Sequence, residues 1–370
     1  MRPAGSPAGL RTFIGFPYRH YRSDPLWAPP LRRDVATLLS RTENPFFEHA
    51  EMACFLAERG DGTVVGRIAA IQNDAHGRAH PGEATVGFFG LFESVDDQSV
   101  ADALFGAAAG WLRERGLTVM RGPMNLSTND DCGVLVEGFG TPPVIMMPHN
   151  PPYYRQLLER AGFTKAMDLL AYEGGCDGIP ARLRDAAAKL AARSKITLRA
   201  LDMRHYWSEV AQLKVLYNQA WEANWGFIPM TDAEMDHLAR QLKPVVVPDL
   251  VVFASIGERL VGFAIDLPDF NVALRSNRSG RLFPFGLIKL LWNQRKITRT
   301  RVVTLGVLPE FRRTGVDALM YEWLWRHAHA RGYPWAESSW ILETNTAMRN
   351  ALERMGFVVY KTYRVYDRSL

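Results

Sequence analysis

The residues Arg312-Arg313-Thr314-Gly315 stand between an apolar run, Val302 to Leu308, and a segment with helical spacing, Asp317 to Ala330. Two guanidinium groups and a glycine at a strand-to-helix joint can hold a multiply charged anion. A helix start exposes N–H groups that lack intrahelical partners and carries a partial positive charge. A glycine at position 315 lets the backbone come close, so the joint suits a pyrophosphate. Asp317 opposes this unless it points away or binds substrate. Downstream, Glu337 and Glu343 flank the strand expected after that helix. Either carboxylate is a general-base candidate by type, acting directly or through water. Tyr360 and Tyr363, on a final strand, are proton donors by type, although aromatic residues there commonly serve the core.

Candidates for a substrate site are more dispersed. Tyr217, Trp221, Asn224 and Trp225 have the spacing of one helical face, which fits a substrate wall or a core stripe. Asp269 and Asn271 follow Pro268 at the end of a hairpin, facing a cleft or forming a turn. Asn125 to Gly133 is a dense polar loop between apolar runs, suited to a ligand or to ordinary turns. Cys132 and His149 show no spacing that supports a thiol nucleophile. His76 and His80 are four apart, but Gly77 and Pro81 favour a loop there, and no metal site is expected.

The elements that position these residues repeat. Leu158-Glu159-Arg160-Ala161-Gly162-Phe163 recurs as Leu352-Glu353-Arg354-Met355-Gly356-Phe357. Val65-Gly66-Arg67 matches Val261-Gly262-Phe263, and Ala103-Leu104-Phe105 with Arg115-Gly116 matches Ala318-Leu319-Met320 with Arg331-Gly332. The matches keep their order, so the chain reads as two copies of one α/β (α+β) fold, residues 1–176 and 177–370. Residues 1–34 form an extension expected to pack on the first copy. Phe55 to Gln72 and Leu250 to Leu267 read as hairpins, turning at Gly60-Asp61-Gly62 and Gly257-Glu258. Val100 to Glu114 reads as a helix stopped by Gly116; Asp202 to Ala223 and Asp232 to Gln241 are further helices. Leu282 to Trp292 reads as a buried or amphipathic helix, too short to span a membrane.

The strand, basic loop, helix and Gly-Phe element of the second copy resemble the Gcn5-related N-acetyltransferase (GNAT) superfamily; the first copy resembles it more weakly. The resemblance implies two tandem GNAT-like domains, each a mixed, mostly antiparallel sheet flanked by helices. It implies that Arg312, Arg313, Thr314, Gly315 and Val316 bind the pyrophosphate of acetyl-CoA or another acyl-CoA, with Asn345 opening the following helix beside it. It also implies that backbone N–H groups of Leu305-Gly306-Val307 polarise the thioester carbonyl. Tyr217, Trp221, Asn224, Asp269 and Asn271 would then line the acceptor. Two departures stand out: Asp317 replaces the family's Gly or Ala, and Leu352 stands where the family often has a Tyr that protonates the leaving thiolate. The first copy carries Asp96, Asp97 and Asp102 at the equivalent loop and is expected to bind no cofactor. The implied activity is N-acetyl transfer to a small-molecule or peptide amine, in a ternary complex without a covalent enzyme intermediate. Alternatives are an aminoacyl-tRNA donor, long-chain acyl transfer with Phe283 to Trp292 at a tunnel or bilayer, and a non-catalytic sensor of coenzyme A.

Composition bounds the rest. The 370 residues carry 44 Lys and Arg against 39 Asp and Glu, and 47% are apolar. That excludes disorder, a collagen-like repeat and a disulfide scaffold. Cys54, Cys132 and Cys176 are odd in number and scattered, so a reducing cytoplasm is expected. No specific nucleic-acid partner is implied, membrane contact is the less favoured reading, and the assembly is a monomer or homodimer. The charge is uneven: Arg275 to Arg313 holds ten Lys or Arg and one acid, Glu310, which points to an anion beside the second copy.

Overall fold

A computed structural model describes residues 1–175, 180–222 and 224–370. The expected boundary between residues 176 and 177, and Cys176 itself, lie outside the described residues. The first half runs β1 (Arg2–Pro3), α1 (Pro7–His20), α2 (Arg32–Leu38), β2 (Ala50–Glu58), β3 (Val64–Asn73), α3 (Asp74–Ala79), β4 (Val86–Ser94), α4 (Gln98–Arg113), β5 (Val119–Gly122), β6 (Val134–Glu137), α5 (Tyr154–Arg160) and β7 (Thr164–Gly175). The second runs α6 (Ala181–Arg193), β8 (Ile196–Ala200), α7 (Tyr206–Trp221), α8 (Asp232–Leu242), β9 (Val251–Ile256), β10 (Arg259–Pro268), α9 (Asn271–Leu274), α10 (Gly286–Asn293), β11 (Arg299–Val307), α11 (Val316–Ala330), β12 (Trp335–Leu342), α12 (Thr346–Arg354) and β13 (Val358–Ser369).

Local chemistry explains the long elements. Asp97 caps α4 by accepting the Ser99 N–H, and its buried Ala101, Leu104, Phe105, Ala108 and Leu112 fall on one helical stripe. Burying each large member of that stripe contributes about 1.5–3 kcal/mol. Thr231 and Glu234 form a reciprocal cap at the start of α8.

The thirteen strands among the described residues form one sheet, ordered β1-β2-β3-β4-β5-β13-β7-β12-β11-β10-β9-β8, with β6 paired to β13. Neighbours are antiparallel except β4·β5 and β11·β12. Each parallel pair is bridged by a helix, α4 or α11, after a hairpin, so the two halves share one plan. Their ends are interlocked. The last strand of the chain, β13, lies between β5 and β7, and β7 in turn pairs with β12. Each half therefore closes on a strand laid beside the other half's sheet.

Three expectations need correction. The N-terminal extension packs on both halves: α1 lies on β2 and β3, while Arg278 donates to the carbonyls of Asp24, Tyr21 and Trp27 at 2.7, 2.8 and 2.8 Å. His76 sits in a helix, α3, which Asn73 caps despite Gly77; His76 pairs with Glu83 at 3.2 Å. The Leu282 to Trp292 segment is not buried. Phe283, Phe285, Leu287, Ile288, Leu291 and Trp292 are all exposed, because α10 rests on α9 and the turn after it rather than on the sheet.

Candidate active site

The site is a fork in the sheet. β11 and β12 pair in parallel only over Arg299–Val302 and Trp335–Ser338. Beyond that point Gly306 and Val307 stay with β10, and Ile341 and Leu342 stay with β7. From Val303 onward, the β11 edge facing β12 carries no ladder. That edge is the Leu305-Gly306-Val307 backbone singled out by the sequence. Gly306 is required because α7 crosses closely: a Cβ there would lie 2.3 Å from the Trp221 ring and 2.9 Å from Ala220.

At the open end of the fork, β11 passes through a short turn into α11. Arg313 (φ 64°) and Gly315 (φ 89°) are left-handed, and Gly315 occupies the helix N-cap. Arg312, Arg313 and Thr314 are exposed and Val316 is buried in the core. Arg312 donates to the Ala220 carbonyl at 2.9 Å, tying the loop to α7. The space beside Gly315 is partly taken by α6: a Cβ there would fall 2.3 Å from Leu190 Cδ2. Asn345 caps α12 by accepting the Met348 N–H. The exposed guanidinium pair and the first turn of α11 fit a pyrophosphate, and the unladdered β11 edge fits an extended thioester arm.

Beside the closed end of the fork lies a buried polar cluster. The Glu337 carboxylate, 1% exposed, accepts hydrogen bonds from the Ser339 and Tyr360 hydroxyls. Tyr360 reaches it from a bulge in β13, across β7. Arg301 lies 3.9 Å from Glu337 and donates to the carbonyls of Ile145, Met146 and Ser339 and to the Ser339 hydroxyl. Burial raises the Glu337 carboxyl above its ordinary range, against the pull of Arg301. Lys361 donates to the Thr141 and Pro142 carbonyls, and burial brings its ammonium down to about 8. A carboxylate of raised basicity held by two hydroxyls has the chemistry of a proton acceptor.

On the opposite face of the fork is an apolar pocket lined by Val302, Tyr321, Leu324, Trp325, Leu352 and Phe357, with Asp266 at its wall. Asp266 is 1% exposed, its Oδ1 has no hydrogen-bond partner among the described residues, and burial pushes it up to about 8. Burial thus favours its neutral form, and it lines the same pocket as Leu352.

The remaining candidates divide. Tyr217 stacks on Trp221 (5.1 Å between centroids) and donates to Asn129 of the polar loop at 3.1 Å. Thr128 and Asn129 reach the carbonyls of Gly226 and Ile228, so that loop of the first half does meet the α7 wall of the second. Asn224 and Trp225 leave the helical face, because α7 ends at Trp221 and Asn224 lies in the bend after it. Asp269 is fully buried, pairs with Arg299 and accepts the Ile145 N–H; Asn271 donates to Pro143 and Val144. Both hold the residue 143–145 loop that in turn holds Arg301. Glu343 is taken up by Lys165 and the Asp168 N–H, apart from Glu337. Tyr363 is core. Cys132 is buried with its thiol pushed up by that burial, and His149 pairs instead with Asp24. Among the described residues no group of three or more His, Cys, Asp or Glu could hold a metal ion.

Arg301, Lys361, Ser339 and Asp266 escaped the sequence reading. A lone acid in the apolar strand Leu260 to Leu267 was the available signal for Asp266. The ten basic residues of Arg275 to Arg313 also resolve. Arg275, Arg278, Arg299 and Arg301 are internal struts; Arg281, Lys289, Arg295, Lys296, Arg312 and Arg313 are exposed, Arg312 with one hydrogen bond to α7.

No family model matches the chain. It is 39% identical over 374 residues to a bacterial ceramide synthase from Caulobacter vibrioides (strain NA1000 / CB15N), covering 100% of this chain and 97% of that protein. It is 38% identical over 369 residues to protein YghO from Escherichia coli (strain K12), covering 98% and 93%. In structure it resembles a tandem GNAT protein from the clavulanic acid biosynthesis pathway, with a TM-score of 0.57 at 14% identity over 99% of this chain and 97% of that one. At that identity the likeness speaks for the fold alone.

Proposed function

The chain belongs to the family of the bacterial ceramide synthase and YghO, carried on a tandem GNAT fold, and on that premise we propose that it is an N-acyltransferase moving a long acyl chain from an acyl-CoA to the amine of a lipid-like acceptor. One observation carries the reading: a carboxylate made basic by burial, Glu337, stands where β11 and β12 begin to part. The relative's name supports the substrate class, since a ceramide is a fatty-acyl amide of a long-chain amino alcohol. The exposed apolar segment at 283–292 favours long chains over acetyl.

In this reading Arg312, Arg313 and the first turn of α11 hold the pyrophosphate. Glu337 takes the proton of the attacking ammonium, with Ser339 and Tyr360 fixing the carboxylate. The amine nitrogen bonds to the thioester carbon, the C–S bond breaks, the nitrogen sheds its second proton to solvent, and the thiolate takes a proton. We assign that proton to Asp266, whose burial favours the neutral form and which lines the same pocket as Leu352. The described cysteines, Cys54 and Cys132, are buried with thiols pushed up, which supports direct transfer without an acyl-enzyme.

The test is thiol release and amide mass spectrometry with palmitoyl-CoA or acetyl-CoA, each against a long-chain amino alcohol and a short soluble amine. The palmitoyl amide of the long-chain amino alcohol is the expected product. Acetylation of the short amine alone would replace the substrate class, and absence of thiol release in every pairing despite coenzyme A binding would remove the enzyme reading.

A further inference from the structure

Eleven large apolar residues are exposed among the described residues, and six of them fall between Phe283 and Trp292. They are among the most exposed of all: Phe283 76%, Phe285 66%, Ile288 63% and Trp292 66%. On α10, Leu287, Ile288, Leu291 and Trp292 lie at helical spacing on one side, and the two phenylalanines continue it ahead of the helix. A soluble monomer seldom leaves such a patch contiguous without a use for it.

The projection is ordered. Asn277 donates to the Arg281 carbonyl at 2.9 Å, and Gly286 is packed so tightly on that carbonyl that a Cβ would fall 1.8 Å from it. Arg278 pins its base to the N-terminal segment. Its charge is one-sided. No Asp or Glu occurs between Asp269 and Glu310, and Arg281, Lys289, Arg295 and Lys296 are exposed around the apolar tip. Arg295 lies 5.8 Å from the Trp292 ring. Apolar and aromatic side chains ringed by cations match the boundary of an anionic bilayer, where rings sit at headgroup depth and each nearby Lys or Arg adds attraction. A second protein copy would bring the same cations to face one another.

We infer that residues 281–296 form a monotopic docking surface for an anionic lipid bilayer. It lies before the start of β11, and the Arg312–Gly315 loop lies after its end. Nine strand residues separate the two by about 30 Å. The bilayer thus meets one end of the fork while the coenzyme loop stays in water at the other. The inference rests on exposure and charge and does not depend on the acyl-transfer reading.

The test is co-sedimentation of the full chain with phosphatidylglycerol–phosphatidylcholine vesicles and with phosphatidylcholine alone. Two variants accompany it: Ile288→Asp with Trp292→Asp, and Lys289→Glu with Arg295→Glu and Lys296→Glu. All five positions are exposed, so unchanged circular dichroism is expected. Wild type binds the anionic vesicles, more weakly at high salt. The first variant loses binding at least about tenfold, and the second loses it on anionic vesicles only. Absence of wild-type binding, or equal binding by all three chains, overturns the inference. So does a wild-type dimer in sedimentation velocity that becomes monomeric in the first variant, since the patch would then join two copies. Vesicle binding that persists while no acyl transfer is found leaves the dock standing and removes the substrate class alone.

Discussion

Replacing Glu337 with Gln keeps the shape of the side chain and removes its charge and basicity. The carboxylate accepts from Ser339 and Tyr360, and the amide keeps a single acceptor oxygen for the two hydroxyls. A positioned general base contributes roughly 10²–10⁴-fold. At about 1.36 kcal/mol per decade, the loss is about 3–5 kcal/mol in the transition state. Stability changes less. Breaking a buried ion pair costs about 3–5 kcal/mol when the partner is stranded. Arg301 is not stranded: its carboxylate contact is 3.9 Å, and its hydrogen bonds go to the carbonyls of Ile145, Met146 and Ser339 and to the Ser339 hydroxyl. The cost of one mismatched polar contact, about 1–3 kcal/mol, is the better guide. The assay is thiol release from palmitoyl-CoA across pH, beside a urea titration. Wild-type activity falls as pH drops through the raised Glu337 titration. The variant loses two to four decades of kcat/KM and that acidic limb together. A variant within about threefold of wild type, with the limb intact, would refute the assignment of Glu337 as base.

Asp266→Asn should flatten the pH dependence of stability. The folded group titrates at about 8, above its unfolded value, so its contribution is full at low pH and is lost as pH rises to 8. At about 1.4 kcal/mol per pH unit, wild type should lose about 4 kcal/mol relative to the variant between pH 5 and 8, read from urea midpoints. Equal slopes would show that this carboxyl ionises freely. Arg312→Glu with Arg313→Glu should weaken coenzyme A binding by calorimetry more than tenfold while leaving urea stability within about 1 kcal/mol, because both side chains are exposed. Unchanged affinity would move the pyrophosphate elsewhere. This pair is a cleaner probe than a substitution at Gly315, which would also strike Leu190. Arg278→Ala should release the N-terminal segment, and trypsin should cut after Arg22 faster than in wild type. Equal digestion rates would mean that other contacts hold that segment.

Local order was legible because it is written in spacing. The stripe from Ala101 to Leu112, the glycine turn before α11 and the paired Gly-Phe elements all depend on residues within a few positions of one another. They made the GNAT plan readable and marked the Arg312–Gly315 turn and Glu337 as candidates. The loss of Asn224 from the α7 face and the exposure of Phe283 to Trp292 were not legible, since spacing says that a face is apolar and not what covers it. The meeting of Glu337 with Tyr360, and of Tyr217 with Asn129, depends on strand order. β13 crosses to the first half and β7 to the second, so residues far apart in the chain close one site. The sequence by itself determined which elements form and which chemistry they can carry. Only the tertiary structure decided which carboxylate is buried and raised in basicity, which arginines are struts and which face outward, because burial and pairing belong to the neighbours that the fold supplies.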